Sequence, residues 1–101
     1  MPQEITVYWR DIPAQVIIKQ GRKSAKAQLE DRFEKAVDMA AMKDGAAGSD
    51  AYLADWRRGD PTPVEGEDMD ALAQAAVARL HAEYDNERLK GLIANGGHAP
   101  A

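Results

Sequence analysis

The chain predicts an α+β domain in which an N-terminal two-stranded antiparallel ribbon packs against three to four α-helices. Three observations carry this prediction. Residues Glu4 to Arg10 alternate polar and apolar with period two, and a second β-rich run, Ala14 to Lys19, follows a proline. From Leu29 onward the apolar residues recur instead at helical spacing. With 101 residues there is room for one domain, drawn as 1–95 with a loose tail at 96–101.

In the first strand Ile5, Val7 and Trp9 point one way, and Glu4, Thr6, Tyr8 and Arg10 the other. Pro13 lacks an N–H and belongs at a strand start or turn, so Asp11-Ile12-Pro13 reads as the connection of the pair. A lone two-stranded ribbon is marginal in water. Helices should therefore cover the Ile5/Val7/Trp9 face and leave Thr6, Tyr8 and Arg10 outward, or another chain should extend the ribbon's edge. Gly21 should end the second strand and Ser24 should cap a helix whose apolar face holds Leu29, Phe33, Val37 and Ala40.

Gly45 and Gly48 punctuate that helix, and Ser49 should cap a short one presenting Tyr52, Leu53 and Trp56, with Trp56 in the core beside Trp9. Asp60 to Gly66, with two prolines, reads as an extended linker. An acidic run, Glu65, Glu67, Asp68 and Asp70, opens a third helix with the seam Met69, Leu72, Ala73, Ala76, Leu80 and Tyr84. Asp85-Asn86 should break or cap it, Glu87 to Ala94 should add a last turn or two through Leu89, Leu92 and Ile93, and Asn95-Gly96-Gly97 should stop that one.

Composition excludes several classes. Without cysteine there are no disulfides, thiolate metal sites or cysteine nucleophiles. No run approaches the roughly 20 apolar residues of a membrane span. Met1-Pro2-Gln3-Glu4 lacks the pattern of a signal peptide, which points to the bacterial cytoplasm as the expected location. The net charge of −4 hides an asymmetry: residues 1–26 carry five basic and two acidic side chains, and the rest eight basic and fifteen acidic. An acidic chain is a poor general nucleic-acid binder, because phosphate neutralisation supplies most non-specific affinity.

Two groups of residues stand out as candidate sites. Lys19, Arg22, Lys23 and Lys26 surround Ser24 at the start of the expected first helix, where the macrodipole ordinarily favours acids. An anionic small molecule held by free amides, the Ser24 hydroxyl and the cations would suit that place. Tyr8, Arg10, Arg57 and Arg58 are the types that dominate protein interfaces and form the candidate partner surface. The histidines, His81 and His98, have no partners at metal-ligand spacing, and Ser24 and Ser49 read as caps rather than nucleophiles. Neither a catalytic set nor a cofactor motif emerges. Arg58-Gly59-Asp60 reads as a helix stop followed by a turn.

The blocks Tyr8-Trp9-Arg10-Asp11-Ile12-Pro13-Ala14-Gln15-Val16 and Asp50-Ala51-Tyr52-Leu53-Ala54-Asp55-Trp56-Arg57-Arg58-Gly59 resemble a small bacterial family, the virulence factor domain. Its domains also resemble the N-terminal part of a longer protein, conserved virulence factor C. The resemblance extends from the first strand to about Leu92 and brings no catalytic residues. It implies an accessory role near folate and cobalamin one-carbon metabolism. The expectation is thus a non-enzymatic cytoplasmic adaptor that binds a protein through the N-terminal ribbon. The alternative is a small-ligand protein with an anion site at residues 21–26.

Overall fold

A computed structural model describes residues 2–45, 48 and 50–99, with Ala51 described in its backbone alone. Among these residues the chain forms β1 (Gln3–Trp9), β2 (Ile12–Gln20), β3 (Lys23–Gln28), α1 (Asp31–Lys43), α2 (Asp50–Ala54), β4 (Trp56–Arg58), β5 (Thr62–Pro63), α3 (Met69–Glu83) and α4 (Asn86–Ala94). The class is α+β, as predicted. The sheet is antiparallel, ordered β3-β2-β1-β4, with β5 also pairing β1. It has five strands rather than the two of the expected ribbon, and β1 is paired on both sides, so its edge is not open to another chain.

The additional strands come from segments with weak signals. Residues 23–28 form a strand, so Ser24 faces Lys19 across a hairpin and caps no helix. Within β3 the inward residues are Ala25 and Ala27, and α3 lies across β2 and β3 with its own alanines, Ala73 and Ala76, buried. Short side chains on both layers let the helix approach the sheet closely. The expected linker supplies β5, whose Thr62 and Pro63 pair with Glu4 and Gln3.

Register divides the sheet into two faces. Thr6, Val16, Ile18, Ala25 and Ala27 share one, and Ile5, Val7, Gln15, Ile17 and Lys26 the other. The first face meets α3, where Glu4 takes Arg79 at 2.5 Å. Thr6 is therefore buried, not outward. A bulge complicates the pattern near the first turn. Val7 pairs with Gln15 but Tyr8 with Pro13, which leaves Ala14 without a β1 partner. The bulge sets Trp9 opposite Ile12, and both reach the core with Val16, while Pro13 sits inside β2 where the ladder is interrupted.

The core joins Trp9, Ile12, Val16 and Ile18 to Leu29, Phe33 and Val37, and to the inner faces of α3 and α4. Trp9 thus meets the predicted α1 stripe, while Val7 is half-buried. Trp56 is not a core residue: it is 37% exposed on the short edge strand β4. Tyr52 stands between the two indoles, 5.9 Å from Trp9 and 6.2 Å from Trp56. Its carbonyl accepts the Trp9 indole N–H at 2.9 Å.

Asp68 and Asp85 cap α3 and α4, accepting from the backbone N–H groups of Ala71 and Arg88. At the start of α1 no side chain of the cap residue helps, and the Glu30 N–H donates instead to His81 Nε2 at 3.2 Å. The expected Ser49 cap lies outside the described residues. Residues 96–99 are not loose: Gly96 and Gly97 are buried, and the Asp11 N–H donates to the Gly97 carbonyl at 2.8 Å.

Candidate functional site

The four residues of the expected partner surface separate into three environments. Arg10 turns inward, because it occupies the first position of the two-residue turn between β1 and β2 with φ +54°. Its Nε donates to Asp55 at 2.8 Å, and its Nη1 to Asp44 and to the Gly96 carbonyl, both at 2.6 Å. The guanidinium lies 4.5 Å from the centre of the Trp9 ring. Burial works against this cation, but hydrogen bonds to Asp44 and Asp55 outweigh it and hold its pKa above the ordinary arginine value. With 9% of its surface exposed, Arg10 ties four segments together and cannot meet a partner.

Tyr8 and Arg57 do come together. They are opposite each other on β1 and β4, and the Arg57 guanidinium lies 4.6 Å over the Tyr8 ring. Arg57 Nε donates to the Arg10 carbonyl at 3.0 Å and Nη2 to Asp11 at 3.1 Å, so the cation is fixed from behind. Gly59 lies against the same ring: a Cβ there would stand 3.1 Å from Tyr8 Cε2. Arg58, the next residue on β4, pairs with Val7 and belongs to the opposite face.

Across from Tyr8 and Arg57, the α3–α4 junction supplies a second pair of the same kind. Arg88 lies 3.9 Å over the Tyr84 ring and donates to the Glu83 carbonyl at 3.1 Å. The two pairs line an open cleft of roughly 750 Å³ with Asp11, Asp60 and Glu87. Asp11 is held below the usual carboxylate range, first by the Ala99 N–H at 2.6 Å and then by Arg57. Burial raises the Tyr84 phenol above its ordinary value. Sequence reasoning missed Tyr84 and Arg88, whose spacing of four across a helix break was the available signal.

Lys19, Arg22, Lys23, Ser24 and Lys26 are all exposed around the β2–β3 hairpin. Lys19, Ser24 and Lys26 share one face of it and Lys23 takes the other. The helix N-terminal amides on which an anion site at 21–26 depended are absent there, because that stretch is strand. Among the described residues no group of three or more acidic or histidine side chains gathers as a metal site, and no helix is long and apolar enough to cross a membrane.

The fold and the cleft define a small α+β domain whose most distinctive surface is built from paired arginines and tyrosines. A family model described as Virulence factor matches residues 7–93, and the chain belongs to that family. The match contains both pairs of the cleft. No curated protein and no solved structure gives a significant match.

Proposed function

We propose that this domain is a non-enzymatic accessory protein of the bacterial cytoplasm that docks a protein partner in the Tyr8–Arg57–Tyr84–Arg88 cleft. The observation that carries the reading is the pair of arginine-over-tyrosine stacks facing one open space. Tyrosine and arginine dominate interface energetics, and side chains already stacked and hydrogen-bonded lose little freedom on binding. The docking surface is therefore the cleft beside the ribbon rather than the ribbon's edge. The Asp11 carboxyl is shifted down and the Tyr84 phenol up, both away from neutral pH, the opposite of the tuning that suits a general acid or base. The link to one-carbon metabolism rests on the family resemblance alone.

The test is affinity capture with crosslinking from the native host. A specific partner should be retained by the wild type and by Arg58→Ala, on the opposite face, and lost from the Arg57→Ala/Arg88→Ala variant. A partner that survives the double substitution undiminished would rule the cleft out.

A further inference from the structure

The exposed large apolar side chains are unevenly distributed. Met39, Met42, Leu53 and Trp56 are 50%, 64%, 71% and 37% exposed, and all four belong to the second half of α1, to α2 or to β4. Two depressions open in this region and share Asp38 and Tyr52. One, of about 190 Å³, is lined by Val7, Leu29 and Val37 together with Tyr52 and Trp56; the other by Ala41 and Met42. The charged groups lining them are Glu34 and Asp38, both acidic and both exposed. Among the described residues neither has an ionic partner.

We infer that this groove docks a basic amphipathic segment of a partner protein, with an aliphatic side chain in the smaller depression and a lysine or arginine against Glu34 and Asp38. The smaller depression, about 190 Å³, suits a single aliphatic side chain, and its neighbour of about 340 Å³ gives the flanking residues of a bound segment room along the same surface. The charge argues for a cationic occupant: the charged groups lining the two depressions are carboxylates that lack an ionic partner among the described residues, and Arg58, on the same face of β4, lines neither depression. Tyr52 and Trp56 are rigid aromatic anchors, and the Met42 thioether adapts to whatever lies over it. The groove is independent of the cleft. Along β4, Trp56 and Arg58 serve the Val7 face while Arg57 serves the Tyr8 face, so the domain presents docking surfaces on both sides of one strand pair.

The experiment is an amide NMR titration of the full chain with a helix-forming peptide of leucine and lysine, and with its leucine–glutamate counterpart. The lysine peptide should shift the resonances of Val7, Gln15, Val37, Tyr52 and Trp56, with the cleft resonances of Tyr84 and Arg88 unmoved. Glu34→Lys/Asp38→Lys alters two exposed positions and should weaken binding about tenfold or more while the spectrum keeps its dispersion. Equal binding of the glutamate peptide, shifts elsewhere only, or unchanged affinity after charge reversal would overturn the proposal. So would concentration-dependent shifts of the same resonances without peptide, which would make the occupant a second copy of the chain.

Discussion

The sheet contains the same turn twice, built from opposite materials. Gly21-Arg22 joins β2 to β3 and Arg10-Asp11 joins β1 to β2; each is a two-residue loop whose first residue has positive φ, +60° at Gly21 and +54° at Arg10. Glycine adopts that conformation without steric cost, and glycine in first position suits a two-residue hairpin. Arginine does not, and at Arg10 two carboxylates, a carbonyl and the Trp9 ring hold the residue there. The Gly21 turn is specified locally and left to solvent. The Arg10 turn is specified by the tertiary structure, which it in turn locks.

Crowding the segment that covers the Arg10 turn should do the most damage. At Gly97 a Cβ would approach the Trp9 ring to 2.8 Å, and φ is +91°. Gly97→Ala should therefore cost about 3 kcal/mol or more in a urea melt. Arg10→Ala should cost about 2–3 kcal/mol, since it removes charge-assisted hydrogen bonds and keeps the strained backbone. Arg10→Gly loses the same bonds but relaxes that backbone, so it should be cheaper than Arg10→Ala by about 1 kcal/mol. If the two are equal, φ at this position carries no strain.

At the open turn, Gly21→Ala places a Cβ with nothing within 4 Å, so only backbone strain opposes it, about 1 kcal/mol. A Gly21→Ala loss as large as that of Arg10→Ala would erase the distinction between the turns. Asp11, beside Arg10, sharpens it through pH. Its pKa is lowered in the folded state, so its contribution is complete above the ordinary carboxylate value of about 3.9 and is lost as pH falls through the lowered value. Asp11→Asn should flatten the acid limb of stability measured by urea melts below about pH 4, with Arg22→Ala as an unaffected control. Smallest of all, Lys23→Ala at the exposed hairpin should stay within about 0.5 kcal/mol of wild type.

The contrast between the turns also explains how much was legible in the sequence. Period-two alternation located β1, and helical spacing located the buried stripe of α1 and the seam of α3. Asp68 caps α3 within the acidic run expected to open that helix, and Asp85 caps α4 at the expected break. The first turn was misplaced because Arg10 carries no local signature of positive φ; its geometry depends on Asp44, Asp55 and Gly96, distant in sequence. β3 was misread because alanine is the inward residue of Lys23–Gln28, and alanine suggests helix more than strand. β4 and β5, three and two residues long, exist through their pairing with β1 and have no pattern of their own. The cleft was half legible: Tyr8 and Arg57 carry the residue types of a partner surface, whereas Tyr84 fits a helix seam and Arg88 joins it only once α3 breaks and α4 turns back.

The contact between Arg10 and the Gly96 carbonyl spans 86 positions of sequence, and Gly97 lies against Trp9 beside it. On the ribosome the first hairpin is made early, but the segment that closes over it is made 86 residues later. At roughly 5–20 residues per second the indole and the guanidinium wait about 4–17 seconds for their cover. Folding cannot then proceed by adding finished layers from the N-terminus. The core is completed in a late step, and until then the nascent chain presents its largest apolar side chain to chaperones and to neighbouring chains.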